Sequence, residues 1–255
     1  DELGELAHAF NRAAQALEET ESRRIELIGN VAHELKTPLT GIRSIMEALI
    51  DDVLPADTDT FLDVQREASR LQRLVEELTE LSRAEAGRLS LKFSLADPLI
   101  PAREAARRLQ AQFDDKEIRL VLNFSTGLPR IPIDPERIQQ VLINLLGNAL
   151  QYTPTGGEVR FSCCRESDRL LYEVADSGIG IDSKNLTHLF ERFYRVEKSR
   201  SRSGGGSGIG LTIAFHIAEA HGGTIRAESR GPGHGSTFSC SLPIASSRDR
   251  SVTES

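Results

Sequence analysis

Two stretches near the start of the chain repeat apolar residues every seven positions, and this pattern limits the fold more than any other feature. A heptad repeat of this kind is typical of helices in a coiled coil or a bundle. Polar residues around Pro55 predict a turn between two such helices, and Gly87 predicts the end of the second. The repeating positions are Ile25, Ala32, Leu39, Met46 and Val53, with Ile28, Leu35, Ile42 and Leu49, then Val64, Leu71 and Leu78, Ala68 and Val75, and Leu74 and Leu81.

Two antiparallel helices cannot enclose a core by themselves, because each apolar stripe needs partners on more than one side. The economical solution is a four-helix bundle built from two copies of the chain. The repeat therefore predicts a homodimer.

The first heptad helix carries a histidine, a carboxylate and a hydroxyl within five residues. His33 directly follows the seam residue Ala32 and is therefore expected to face solvent, with Thr37 one turn further along the same face. A neutral imidazole is a usable nucleophile near pH 7, and Glu34 could orient it or act as its base. Pro38 is expected to bend the helix just past them. A surface histidine is the alternative, whereas a zinc protease is excluded because position 37 is not a second histidine.

After Gly87 the periodicity changes, and a second domain of strands and helices is predicted. Asp134 followed by Pro135 is a helix start, with the aspartate as N-cap. The predicted strands are Leu89–Phe93, Ile118–Phe124, Glu158–Cys164, Arg169–Ala175, Thr224–Ser229 and Ser236–Pro243, and the predicted helices are Asp97–Phe113, Asp134–Tyr152 and the segment from Leu211 to His221.

Three polar or glycine-containing motifs stand out in this second domain, and the last of them points to a phosphate ligand. Asn144 and Asn148 lie four residues apart on one flank of a helix, and a strand ends in Asp176 followed by glycines at alternate positions. A further glycine-rich turn feeds the last helix, whose backbone N–H groups could face phosphate oxygens. Taken singly, each motif has a plain alternative: helix-surface asparagines or a flexible linker. The glycines concerned are Gly178, Gly180, Gly206, Gly208 and Gly210.

Composition excludes several classes of protein. The 255 residues are enough for two domains, and a net charge of −7 argues against a nucleic-acid partner. No apolar run approaches the roughly 20 residues that span a bilayer. The three cysteines, Cys163, Cys164 and Cys240, lack metal-ligand spacing, so free thiols in a reducing compartment are expected. The stretch 196–207 is expected to be mobile and residues 246–255 a disordered tail.

The order of these motifs resembles the sensor histidine kinases of bacterial two-component systems, over about residues 1 to 244. The resemblance implies the end of a HAMP signalling module over 1–19 and a dimerisation and phosphotransfer hairpin over 20–87. A catalytic ATP-binding domain, an α/β sandwich of the Bergerat type, would occupy 88–245. The implied fold is thus a dimeric four-helix-bundle hairpin followed by an α/β domain, in the cytoplasmic portion of a membrane-anchored protein.

The resemblance also implies a reaction and a set of roles. His33 would attack the γ-phosphate of ATP, Glu34 would bond the other ring nitrogen, and Thr37 would orient a water that removes phosphate from a partner response regulator. Asn148 would bind Mg²⁺, and Asp176 would accept the adenine amino group. The remaining nucleotide-binding residues implied are Asn144, Tyr152, Phe190 and Arg195, with Gly178, Gly180, Gly206, Gly208 and Gly210.

The sequence departs from the family pattern at one position, and two other functions are possible for such a chain. The family often carries a lysine or arginine where this chain has Gln151, which predicts a weaker nucleotide affinity. An ATP hydrolase of the same nucleotide-binding fold is the first alternative, but such enzymes carry a glutamate base where this chain has Asn144. A non-catalytic dimeric scaffold is the second, and the intact motifs argue against it.

Overall fold

A computed structural model describes residues 2–195 and 207–244. The chain divides into two compact units, and the boundary along the sequence falls between Glu76 and Glu77. Two long helices make up the first unit, α1 (Glu2–Ile50) and α2 (Thr58–Glu85), although residues 77–85 of α2 belong to the second unit. In the described residues, no helix is both long enough and apolar enough to span a bilayer.

The helical hairpin forms as the heptad repeat predicts. Asp57 caps α2, because its Oδ1 accepts the Thr60 N–H at 2.9 Å, and the same bond lowers the pKa of Asp57. Gly41 of α1 lies against α2, since a Cβ there would stand 3.5 Å from Glu67 Cγ. The helix α1 continues unbroken through Pro38, which is buried.

The predicted seam of α1 remains open to solvent in a single chain. Ile25, Ile28 and Leu39 are 65%, 60% and 58% exposed, and Met46 is 41% exposed. Large apolar side chains at heptad spacing are unusual on a solvated surface and mark an interaction face.

The second unit is built on a five-stranded sheet in the order β2-β4-β5-β7-β6. The pair β2 and β4 is parallel, and every other pair in that sheet is antiparallel. Helices α4 and α6 pack on the sheet and on each other, which makes the α/β sandwich that was expected. The elements are β1 (Ser94–Ala96), α3 (Leu99–Asp115), β2 (Arg119–Phe124), β3 (Ile131–Ile133), α4 (Pro135–Tyr152), β4 (Glu158–Glu166), β5 (Arg169–Asp176), α5 (Ser183–Leu186), α6 (Gly210–Ala220), β6 (Thr224–Glu228) and β7 (Ser236–Pro243).

The core of this unit follows the alternation of its strands. Phe161, Tyr172 and Phe238 of β4, β5 and β7 are completely buried, and the Tyr172 hydroxyl donates to the Pro98 carbonyl at 2.8 Å. Cys163 and Cys240 are buried free thiols on either side of Tyr172, each with its pKa raised to about 12 by burial. Their lack of a disulfide partner agrees with the prediction from sequence.

One predicted strand is wrong and two short ones were missed. Leu89–Phe93 is not a strand; the pairing begins at Ser94, where β1 joins β3 in a separate two-stranded sheet. The segment before it is fixed by a side chain instead, since the Lys92 N–H donates to Asp134 Oδ2 at 2.7 Å. Each of these strands has only three residues, too few for a periodic pattern. The expectations for residues 196–206 and 246–255 lie outside the described residues.

Candidate active site

The histidine motif lies on the outer surface of α1. His33 is exposed, as its position beside the seam predicts, and Glu34 is half-buried. Thr37 is also exposed and its hydroxyl donates to the His33 carbonyl at 3.3 Å, which places the hydroxyl one turn from the histidine. The first unit therefore presents His33 and Thr37 to solvent.

Helix α4 of the second unit is fixed at both ends. Its N-cap Asp134 accepts the N–H groups of Glu136 and Arg137 at 3.1 and 3.2 Å. At its other end Lys116 Nζ donates to the carbonyls of Leu150 and Gln151 at 2.7 and 3.0 Å, where a cation also favours the helix dipole. Burial lowers the pKa of Lys116.

The two asparagines of α4 are used differently. Asn144 Nδ2 donates to the Gly210 carbonyl at 2.9 Å and so holds the start of α6. Asn148 is half-buried, and within residues 2–195 and 207–244 its amide makes no hydrogen bond. Asn148 is thus available to a ligand, whereas Asn144 already has a structural partner.

The carboxylate of Asp176 is held by the turn that follows it and by the start of β7. Its Oδ1 accepts the N–H groups of Gly178 and Ser236 at 2.8 and 3.3 Å, and its Oδ2 accepts the Ser236 hydroxyl. Two carboxylate oxygens offer about four acceptor positions, so three bonds leave room for one more donor. This turn also touches α4, because the Ile179 N–H donates to the Tyr152 carbonyl at 3.2 Å.

Close approaches explain why glycine is needed in this turn. A Cβ at Gly180, which has φ +70°, would lie 2.1 Å from the Gly231 carbonyl oxygen. A Cβ at Gly235 would lie 1.9 Å from the carbonyl oxygen of Asp176. The loop before β7 therefore packs directly onto the Asp176 turn.

A backbone hydrogen bond joins the Phe190–Arg195 segment to the glycine turn before α6. The Phe193 N–H donates to the Gly208 carbonyl at 3.1 Å, and Phe193 itself has φ +57°, an uncommon conformation for a bulky residue. Phe190 packs on α6 through Phe215, with ring centroids 5.9 Å apart. Arg195 is half-buried, and Gly206 lies outside the described residues.

The start of α6 offers donors for an anion. The first N–H groups of a helix have no acceptor within it, which here concerns Gly210, Leu211 and Thr212. Thr212 is 3% exposed, and its hydroxyl lacks a hydrogen-bond partner within the described part of the chain. These donors, together with Asn148 and the remaining acceptor capacity of Asp176, fit a nucleotide with its phosphates at α6.

A metal ion at this site would depend on the ligand itself. Across residues 2–195 and 207–244, no cluster of three or more His, Cys, Asp or Glu side chains could hold an ion. Mg²⁺ prefers hard oxygen ligands and commonly shares phosphate oxygens with a few protein groups. The Asn148 amide oxygen fits such a shared site.

Comparison with known proteins finds two family matches in the chain. Residues 23–87 match the family described as His Kinase A (phospho-acceptor) domain, and residues 133–246 match the Histidine kinase-, DNA gyrase B-, and HSP90-like ATPase family. Sensor histidine kinase WalK of Bacillus subtilis strain 168 is 38% identical over 238 residues, covering 89% of this chain and 38% of WalK. The chain belongs to the sensor histidine kinase family.

Two further comparisons show how much of a relative the chain covers and which solved structure has the same fold. Signal transduction histidine-protein kinase BaeS of Escherichia coli strain K12 is 36% identical over 253 residues, covering 99% of this chain but 54% of BaeS. Histidine kinase ThkA, solved in complex with response regulator protein TrrA, has 24% identity and a TM-score of 0.71, covering 89% of this chain and 64% of ThkA. The chain thus spans about half of BaeS and shares its fold with ThkA.

The predicted site residues of this chain divide between the two units. His33, Glu34 and Thr37 lie in the first unit, and the described nucleotide residues all lie in the second. Sequence reasoning missed Ser236, which bonds the Asp176 carboxylate, and Gly235, which packs directly against the Asp176 backbone. The only signal for them was a run of alternating glycines, 231–235, directly before the last strand.

Proposed function

We propose that this chain transfers the γ-phosphoryl group of ATP to His33 and then to an aspartate of a response regulator. The observation that carries the proposal is the pairing, in one chain, of a solvent-facing His33 with the Asp176 carboxylate and the N–H groups at the start of α6, which can bind a base and phosphates. Membership of the sensor histidine kinase family supports the same reaction.

The chemistry at His33 needs a neutral ring with its Nε2 lone pair free. Nε2 attacks the γ-phosphorus, a P–N bond forms, and the bond to the β-phosphate oxygen breaks to release ADP. Glu34 accepts the Nδ1 proton in a hydrogen bond, which fixes the tautomer and makes Nε2 more nucleophilic. Thr37, one turn away, orients a water for the reverse task of dephosphorylating the regulator.

The nucleotide residues act by binding and orientation. Asp176 accepts the adenine amino group and so selects ATP over GTP, Tyr152 packs near the base, and Arg195 pairs with a phosphate. Asn148 supplies a protein oxygen to Mg²⁺, which neutralises charge on the phosphates when bound. Phe190 supports α6, and the glycine turns allow close approach of the backbone.

The proposal includes partners. Two copies form a four-helix bundle through the exposed seam of α1, and a receiver domain docks beside His33; ThkA was solved with such a regulator. We further propose that residues 1–19 are the end of a HAMP module, which connects this cytoplasmic portion to a membrane-anchored sensor.

Incubation with γ-labelled ATP and Mg²⁺ tests the function. We expect label on His33 as an acid-labile, base-stable phosphate, and none in His33→Gln. Equal labelling of His33→Gln would refute the assignment. An ATP hydrolase would instead turn over ATP without retaining label, an outcome disfavoured because the Asn144 amide, which stands where the hydrolases carry their base, is bonded to Gly210.

A further inference from the structure

Three glutamates on the last turns of α2 each bond a different part of the nucleotide-binding unit. These residues fall within the second compact unit, and between them Leu81 and Ala84 are 2% and 7% exposed. We call the three glutamates the acidic edge of α2. Glu77 bonds Ser207, Glu80 bonds Arg137 and Gln140, and Glu85 bonds Arg192.

The Glu85 contact is a two-pronged ion pair. Arg192 Nε lies 2.9 Å from Glu85 Oε1, and Arg192 Nη1 lies 3.2 Å from Oε2. Both side chains are about two-thirds buried, so the pair is less screened than one on an open surface. Arg192 precedes Phe193, the residue in the uncommon backbone conformation whose N–H donates to Gly208.

Glu77 contacts the same glycine turn through Ser207. The Ser207 hydroxyl donates to Glu77 Oε2 at 2.5 Å, and its oxygen accepts the Ile209 N–H at 3.2 Å. A hydroxyl has a single proton, so giving it to Glu77 leaves the Ser207 oxygen to accept from Ile209. This chain of bonds fixes the backbone directly before α6.

Both contacts therefore act on Gly208–Gly210, where the N–H groups at the start of α6 are presented. We infer that Glu77 and Glu85 are positioning residues of the nucleotide site, which hold this turn in the conformation that receives the phosphates. The inference rests on the proposed function, in which ATP binds at this turn. Glu80 makes a comparable attachment, but to Arg137 and Gln140 on the first turns of α4 and not to the turn that contains Gly208.

Nucleotide affinity of the full chain tests the inference. Mg²⁺ with the non-hydrolysable analogue AMP-PNP is titrated by calorimetry, and adenosine, which lacks phosphates, by NMR. We expect Glu77→Ala and Glu85→Ala each to weaken AMP-PNP binding about five- to tenfold, the effect of losing one typical hydrogen bond. Adenosine binding stays unchanged, because its contact with Asp176 is untouched.

Matched variants separate positioning from general stabilisation. Glu80→Ala should leave AMP-PNP affinity unchanged. Glu77→Gln keeps an acceptor for Ser207 and should restore it, and Ser207→Ala combined with Glu77→Ala should be no worse than either alone. The double charge reversal Glu85→Arg with Arg192→Glu should recover part of the affinity.

Three outcomes overturn the inference. Glu77→Ala and Glu85→Ala could bind AMP-PNP like the unaltered chain, or lose adenosine as strongly as AMP-PNP, or be matched by Glu80→Ala. Failure of the unaltered chain to bind AMP-PNP at all would instead refute the proposed function, and the positioning role with it.

Discussion

Asn144 and Asn148 look alike in the sequence, four residues apart on one helix, but their surroundings differ. The amide of Asn144 donates to the Gly210 carbonyl at 2.9 Å, and a Cβ at Gly210 would stand 3.3 Å from Asn144 Oδ1. Asn148 has no such bond in the part of the chain that the structure describes. The first asparagine joins α4 to α6, and the second is left for the ligand.

Replacing each asparagine by alanine should therefore affect a different property of the protein. Asn148→Ala should abolish labelling by γ-labelled ATP while the thermal unfolding midpoint stays unchanged, because the proposed Mg²⁺ ligand is lost and no internal bond is. Asn144→Ala should lower the free energy of unfolding by about 1 kcal/mol, since a half-buried hydrogen bond is lost. Calorimetric melting measures the stability of each variant, and a labelling assay over a range of Mg²⁺ concentrations measures phosphorylation. Retained labelling of Asn148→Ala with normal Mg²⁺ dependence would contradict the ligand role.

At this scale the sequence predicts residue types better than their partners. The strand ending in Asp176 and the glycines after it indicated a binding turn, and the turn is present. Two of the three bonds that hold Asp176 come from Ser236, sixty positions later in the chain, on a strand whose pairing with β5 the sequence does not specify. Local pattern carries no information about such distant contacts, so Ser236 and Gly235 could not be predicted.

Helix α4 is the element on which the site depends, and a buried histidine supports its start. His221 Nε2 accepts the Asp134 N–H at 3.1 Å, while Nδ1 bonds the Ile217 carbonyl at 2.7 Å. His221 is 6% exposed and its ring packs on Phe93, with ring centroids 5.1 Å apart. Burial lowers the pKa of His221, outweighing the Ile217 bond and the charge of Asp134, which raise it. The neutral ring is thus the native form.

Acid should destabilise the second unit through His221. In the unfolded chain the ring has its ordinary pKa of 6.5, and in the folded chain the pKa is lower. Below pH 6.5 the unfolded state therefore binds more protons, so stability is fully present above that pH and falls as the pH is lowered, by at most about 1.4 kcal/mol per pH unit.

Urea unfolding across this pH range measures the effect. His221→Gln keeps an acceptor for Asp134 but does not titrate, so its stability should change less between about pH 7.5 and pH 5. His234→Gln, at an exposed histidine, should follow the unaltered chain. The same pH slope in His221→Gln as in the unaltered chain would show that His221 is not the responsible group.

For the molecule as a whole, the period of the apolar pattern predicted the division into a helical hairpin and a mixed α/β unit. Helices with caps, such as α4 with Asp134 and Pro135, were predicted closely because the signal is local. The sheet order could not be predicted, since the parallel pair β2 and β4 and the neighbours β5 and β7 join segments that are distant in the chain. Nor does the heptad repeat show that residues 77–85 of α2 pack with the second unit.

The open seam of α1 leads to the last prediction, a homodimer. A two-fold interface presents every substituted position twice, so one charged residue in the seam places two uncompensated charges in it. Sedimentation analysis should measure a mass of twice 28.1 kDa for the unaltered chain, which is a dimer. For Met46→Glu and Ile28→Glu it should measure 28.1 kDa, the mass of a monomer. Ser44→Glu, exposed and off the seam two positions from Met46, should remain a dimer. A dimer that persists in both seam variants would place the interface elsewhere on the chain, and the apolar face of α1 would then need another partner.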